Sequence, residues 1–254
     1  MRSVTMIRAI EYSLRFNVAM RCAIVALVLL PAGVYGLVNS GARDVSITHG
    51  PTNQRMVALT FDDGINGAYT SEVARILDHR GAHGTFFVVG ETLETQGPTA
   101  RDLVAHGHLL ANHSYDHSRA SKKDFFYSQV WWAQRAFERT IGKCPRFFRP
   151  PYGIQTLYVN AAVHRAGMRT ILWNIEVGDW REQDPARLAS LVLAKTQPGA
   201  IILLHDGTDG LQGADRSVLI DALPLILAGF EERGLRPVTV AELLGVSGYL
   251  DECR

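Results

Sequence analysis

Short apolar runs alternate with longer amphipathic segments through most of the chain, and this alternation constrains the fold more than any other feature. The runs are 56–61, 84–89, 107–111, 146–148, 169–175, 200–205 and 236–240. Between them lie 70–79, 122–141, 157–166, 185–195 and 216–232. In these segments apolar residues recur at helical spacing, as with Val73, Ile76 and Leu77, or Leu188, Leu191 and Val192. A strand covered on both faces reads as an unbroken apolar run, and strands separated by helices pair in parallel. The expected fold class is therefore α/β, with about seven parallel strands closing into an incomplete (β/α) barrel.

The position of the polar residues favours a barrel over an open sheet. Asp62, Asp63, His113, Arg149, Asp179 and His205 all stand at or just beyond the C-terminal ends of apolar runs. Parallel barrels collect their chemistry on that face. An open doubly wound sheet would carry a glycine-rich phosphate loop at one switch point, and none is present. No internal repeat or low-complexity segment interrupts the pattern.

The first 44 residues differ from the rest. Arg2, Arg8, Arg15 and Arg21 precede an apolar run over 23–38, and Ser40, Gly41 and Ala42 follow. Basic, apolar and small residues in that order describe a secretory leader. The run is shorter than the ~20 residues of a comfortable membrane span. The basic part before it is long for a leader, so a cleaved signal peptide and a retained N-terminal anchor both stand open. Either reading places the domain outside the cytoplasm, secreted or at the cell surface. Residues 45–55 are expected to be a linker, 56–245 the catalytic barrel and 246–254 a C-terminal tail.

A net charge of +1 with no basic stripe excludes nucleic acid as a partner, and 47% hydrophobic residues exclude a disordered chain. Of three cysteines, Cys22 lies in the leader. Cys144 and Cys253 can pair in an oxidising compartment or remain free thiols, and spacing does not choose between these.

Two segments carry the chemistry. Asp62-Asp63-Gly64 ends one apolar run, and His113 and His117 stand four apart after another. One carboxylate and two imidazoles make a three-donor set for a catalytic divalent ion such as Zn²⁺, with a position left for water. The second carboxylate is then a general base. Two adjacent carboxylates repel inside a fold, so burying both calls for a cation. The histidine pair can aim at one ion if its segment is helical, with Asn112 and Ser114 close enough to fix the tautomers. Arg149 begins a rigid Arg-Pro-Pro-Tyr-Gly turn, and its planar fork suits a buried carboxylate. His205 ends a strongly apolar run and needs a partner, which Asp179 can supply. Trp180 is expected in the pocket wall and Trp173 in the core. The histidines at 49, 79, 83, 106, 108 and 164 are expected at the surface.

TFDDG (60–64), HSYDH (113–117), RPPYG (149–153), EVGDW (176–180) and LLH (203–205), in this order, resemble the motifs of the NodB-homology polysaccharide deacetylases, carbohydrate esterase family 4. The resemblance covers roughly 55–245 and implies a distorted (β/α) barrel. It implies that Asp63, His113 and His117 bind the metal and that Asp62 is the general base, held by Arg149. It also implies that His205 is the general acid, tuned by Asp179. The Tyr152 backbone N–H would help hold the oxyanion, and Leu203 with Trp180 would form the slot for the acetyl methyl. One departure is Glu176, where the family motif has aspartate. Retention of Asp63 points to N-acetylglucosamine-type rather than N-acetylmuramic acid substrates.

The expected function is metal-dependent de-N-acetylation of an N-acetylglucosamine-containing glycan, peptidoglycan first and chitin oligosaccharides next. Alternatives are an O-acetyl xylan esterase or a small cyclic amide hydrolase on the same fold, or a non-catalytic glycan-binding relic. A relic need not retain its metal, so metal content separates it from the enzymes.

Overall fold

The computed structural model describes residues 46–118, 124 and 126–253. The leader or anchor over 1–44, Cys22 and the start of the segment expected at 122 lie outside these residues. In chain order the elements are β1 (Met56–Asp62), α1 (Gly67–Asp78), β2 (Thr85–Val88), α2 (Gly90–Thr95), α3 (Gly97–Ala105) and β3 (Leu109–Asn112). Then come α4 (Gln129–Ile141), β4 (Cys144–Pro145), β5 (Phe147–Phe148), a 3₁₀ turn at Pro151–Gly153, α5 (Leu157–Arg165), β6 (Arg169–Thr170) and β7 (Ile175–Glu176). The chain ends with α6 (Pro185–Lys195), β8 (Ile201–His205), α7 (Ser217–Glu232), β9 (Arg236–Val238), α8 (Val240–Leu244) and β10 (Tyr249–Leu250).

The parallel sheet runs β6-β5-β3-β2-β1-β8-β7, the seven strands of a curled half-barrel, and β9 adds to β1. β8 takes one edge of β1 over Ala58–Asp62. The other edge is shared, β9 pairing at Met56–Ala58 and β2 at Thr60–Asp62. Period-two alternation then sorts the β1 side chains. Val57, Leu59 and Phe61 face outward into the layer beneath α1, α3, α6 and α7. Met56 and Ala58 face inward with Phe87, Leu109, Ala111, Phe147 and Ile201. Thr60 and Asp62 continue the inward row at its C-terminal end. The same alternation sends His113, Arg149 and His205 inward, each two residues beyond an inward-facing apolar side chain or row. A third cluster seals α4 and α5 against β5 through Val130, Phe148, Val159 and Val163.

The apolar run 169–175 is not one strand. It begins as β6 at one end of the sheet and finishes as β7 at the other, so residues 171–174 cross the gap in the barrel. Arg149 holds this crossing stretch: its Nε donates to the Ile171 carbonyl at 3.2 Å and its Nη2 to the Leu172 carbonyl at 3.0 Å. Those carbonyls are thereby withdrawn from ladder pairing.

Both expected spacer segments have structural work. Within 45–55, Ile47 bridges Ile171 and His49 bridges Ala200, so this stretch closes the barrel gap rather than acting as a plain linker. In the expected tail 246–254, β10 pairs antiparallel with β4, and Cys253 is bonded to Cys144 across 109 residues. Among the described residues no helix is long and apolar enough to cross a membrane.

Closing so long a loop restrains the unfolded chain. Replacing Cys144 and Cys253 together by Ser is expected to cost about 2–4 kcal/mol of stability while leaving the distant pocket intact. Urea unfolding of the double variant against the parent, with and without reductant, measures this.

Candidate active site

The inward-facing ends of β1, β3, β5 and β8 meet at one cavity of about 440 Å³. Eight of the ten sequence-expected site residues line it: Asp62, Asp63, His113, His117, Tyr152, Trp180, Leu203 and His205. The other two stand directly behind. Arg149 lies beneath Asp62, and Asp179 beside His205.

The adjacent aspartates are separated by backbone geometry. Asp62 keeps strand conformation and points inward by alternation. Asp63 would point outward, but its φ of 73° turns it back over the cavity. Gly64 follows because there is no room for a side chain: a Cβ there would stand 2.2 Å from Asp206 Oδ2. At Gly207 a Cβ would stand 2.3 Å from the Asp63 carbonyl oxygen. The Asp-Asp-Gly and His-Asp-Gly loops therefore cross in contact, with a glycine on each. Asp206 is buried beneath the crossing, and Thr70 Oγ1 donates to it. Burial is the main cause that pushes its carboxyl up to about 7.

Arg149 is fully buried. Its Nη1 donates to Asp62 Oδ1 at 2.6 Å and to Thr60 Oγ1 at 2.8 Å, and its guanidinium lies 4.0 Å from the Phe87 ring centroid. Burial draws its pKa down, and the Asp62 carboxylate opposes that. Every donor direction of the fork except one edge is thus used, which lysine could not reproduce.

Asp63 Oδ1 lies 3.3 Å from His113 Nε2 and 3.0 Å from His117 Nε2, and the two Nε2 atoms are 3.1 Å apart. This is the cluster among the described residues whose donor atoms converge closely enough to hold a metal ion. His113 Nδ1 donates to the Arg149 carbonyl at 2.8 Å, which leaves Nε2 with its lone pair facing the cluster. Three facing acceptors at these distances require a proton or a cation between them. Burial by itself would raise the Asp63 pKa, but contacts with the two imidazoles hold it well below the ordinary carboxylate range. Burial likewise opposes charge on His113, while Asp62 and Asp63 raise its pKa. An O, N, N donor set on one side of an open cavity fits a Zn²⁺-type ion.

The histidine pair converges by a different route from the expected helical turn. His113 immediately follows β3, and residues 113–118 are a loop in which Ser114 and His117 take φ of 70° and 56°. Asn112 Oδ1 accepts from the Ser114 N–H and Ser114 Oγ from the His117 N–H. These residues shape the loop; they do not fix the tautomers, since their bonds go to backbone.

On the opposite wall, His205 Nδ1 lies 2.9 Å from Asp179 Oδ1, and the His205 N–H donates to Asp179 Oδ2 at 2.7 Å. Burial disfavours the imidazolium, but Asp179, supported by Asp62 and Asp63, raises the His205 pKa to about 9. Trp180 packs edge-on against the His205 ring at 5.2 Å between centroids, with Leu203 buried beside it. Tyr152 sits in the 3₁₀ turn with φ of 58°.

Six pocket residues were not among the expected site residues, Gly153 and Glu176 of the motif segments among them. Trp173, expected in the core, packs against the inner cluster and also lines the cavity, its Nε1 donating to Glu176 Oε2 at 3.0 Å. Its place near the end of an apolar run was the available signal. Asp209, Thr208 and Arg216 come from the loop after β8, whose path has no sequence signature. Conversely, His108, expected at the surface, is buried against Phe86 and His83, and burial lowers its pKa to about 4.

Removing the buried guanidinium leaves Asp62 uncompensated. Arg149→Met is expected to destabilise the protein by about 3–5 kcal/mol. A denaturant titration at pH 7 reads this; an unchanged midpoint would mean that Asp62 finds another partner.

The sequence profile of the family described as polysaccharide deacetylase matches residues 49–171. A peptidoglycan-N-acetylglucosamine deacetylase of Bacillus cereus is 34% identical over 202 residues, 76% of this chain and 90% of that protein. A chitooligosaccharide deacetylase of Bradyrhizobium sp. is 35% identical over 189 residues, 71% of this chain and 86% of that one. Among solved structures, that of a peptidoglycan N-acetylglucosamine deacetylase superposes with a TM-score of 0.74 at 28% identity, covering 80% of this chain and 94% of that one. A family pseudoenzyme from Bacillus anthracis superposes with a TM-score of 0.70 at 26% identity, covering 79% and 69%.

Proposed function

Because the chain belongs to the polysaccharide deacetylase family, we propose that it is a metal-dependent hydrolase that removes acetyl groups from N-acetylglucosamine residues of a glycan. Peptidoglycan is the first substrate of choice and chitin oligosaccharides the second, in line with the two kinds of relative. The observation that carries this reading is the division of one cavity into two walls. One wall holds the Asp63, His113 and His117 donors with the arginine-paired Asp62; the other holds the aspartate-paired His205. A binding-only relic has no need of both a base and an acid.

In this reading Asp63, His113 and His117 hold a divalent ion, Zn²⁺ by donor type. When bound, the ion supplies Lewis-acid polarisation of the acetamide carbonyl and of the attacking water. Asp62, fixed by Arg149 through one oxygen, takes the proton from water with the other. The Tyr152 backbone N–H, on its rigid turn, faces the developing oxyanion. His205 gives its proton to the departing amine, and acetate leaves. The base must act as a carboxylate while His205 is protonated, and Asp179 favours the protonated His205. Leu203 and Trp180 enclose the acetyl methyl. The basic-apolar-small order of residues 1–44 supports a location outside the cytoplasm, which suits a polymeric substrate.

The direct test is acetate release by the purified full chain from N-acetylglucosamine oligomers, from peptidoglycan fragments and from acetylated xylan. Each is assayed with Zn²⁺ and after chelation. Release from the amide substrates that chelation abolishes and Zn²⁺ restores is the expected result. Release from xylan alone would favour the esterase, and no release from a metal-loaded protein would favour the relic.

The pH profile tests the acid. His205 is protonated below its raised pKa of about 9, so amide turnover should fall as pH rises through that value. In Asp179→Asn the first cause of that rise is gone while burial remains. The descending limb should then move down towards the ordinary histidine value of 6.5 or below. A limb that stays in place would remove His205 from the acid role.

A further inference from the structure

The two imidazoles of the donor cluster have different partners at their outer nitrogens. His113 Nδ1 is matched to a backbone carbonyl. His117 Nδ1 is buried without an aligned hydrogen-bond partner, yet Asp209 Oδ1 lies 2.9 Å from it. The separation is within hydrogen-bond reach, so the carboxylate is placed to accept from this nitrogen after a local adjustment. Asp209 makes two further contacts. Its own N–H donates to Asp63 Oδ2 at 3.0 Å, and Tyr152 Oη donates to its Oδ1 at 3.0 Å. A single residue therefore touches two of the three metal donors and the turn that carries Tyr152.

Asp209 holds this position from a left-handed backbone, φ 47°, with Gly210 at φ 76° beside it. Such a conformation is unfavourable for a residue with a side chain and persists only where surroundings hold it. Side chains of Asn66 and Gln212 supply that hold. Asn66 Oδ1 accepts from the Gly213 N–H at 2.7 Å, Asn66 Nδ2 donates to the Ala214 carbonyl at 2.7 Å, and Gln212 Nε2 donates to the Ile65 carbonyl at 2.6 Å. The loop bearing Asp209 is thus strapped to the loop bearing Asp63.

We propose that Asp209 is a positioning residue of the metal centre. Its carboxylate accepts the His117 Nδ1–H, which fixes the tautomer that presents Nε2 and strengthens that nitrogen as a donor. Its backbone N–H occupies Asp63 Oδ2, which leaves Oδ1 to point at the ion. The proposal rests on the reading of Asp63, His113 and His117 as metal ligands.

The test is the Zn²⁺ affinity of the full chain, measured by competition with a chromophoric chelator, for the parent, Asp209→Asn and Asp209→Gly. Glycine accepts the left-handed backbone and keeps the N–H, so it removes the carboxylate with least disturbance to the loop. Asp209→Gly is expected to bind Zn²⁺ about 10–100-fold more weakly, and Asp209→Asn by a smaller factor, because an amide oxygen still accepts but carries no charge. The gain in Tm on adding Zn²⁺ should shrink in the same order. Parental affinity in both variants would overturn the proposal. A lowered metal-free Tm with an unchanged Zn²⁺ increment would also overturn it, since that is the mark of a residue that only holds the loop. If the parent chain itself binds no Zn²⁺, the ligand reading fails first and takes this proposal with it.

Discussion

The buried Arg149 guanidinium is the constraint on which the rest of the site depends. A charge sealed from water in a barrel interior is costly unless it is paired and its donors are used. Here the pairing carboxylate is Asp62, and the remaining donors go to Thr60 and to the carbonyls of Ile171 and Leu172. Each bond has a structural consequence. The first fixes the orientation of Asp62. The bonds to Ile171 and Leu172 hold the stretch that crosses the gap in the barrel from β6 to β7. The Arg149 carbonyl then sets the tautomer of His113. The orientation of Asp62, the stretch that crosses the barrel gap and the tautomer of His113 therefore all depend on one residue.

Two neighbouring aspartates take different tasks because the backbone between them changes hand. Asp62 belongs to the strand and faces a guanidinium. Asp63 belongs to a left-handed turn and faces two imidazoles. The turn is held from below by the crossing of two glycine-bearing loops, where neither Gly64 nor Gly207 can be replaced without collision. Charge on both carboxylates is tolerated because each has its own compensating group. The same separation operates across the cavity, where Asp179 pairs with His205 and favours its protonated form.

Much of this was legible in the sequence. Apolar runs end at the polar residues that matter, and alternation along β1, β3 and β8 decides which residues face inward. Arg149 as the partner of a buried carboxylate follows from its chemistry and its rigid turn. The failures share a physical cause. Asn112 and Ser114 looked like tautomer partners because they are adjacent in sequence, whereas the actual neighbours come from Arg149 and the loop after β8. His108 looked like surface because a lone histidine usually is, but here it packs against Phe86. Trp173 does pack on the core as expected, but nothing local reveals that it also faces the cavity.

The sequence by itself determined the parallel α/β architecture, the five motif segments and the chemical types of the groups that meet in the cavity. These are properties of periodicity and side-chain chemistry, which act locally. Only the tertiary structure decided which segments close the barrel, that Cys144 and Cys253 are joined, and that Asp209 stands over His117. Each of these pairings spans a long stretch of chain. Such contacts are set by loop paths and by the closure of the sheet, for which no short-range pattern exists.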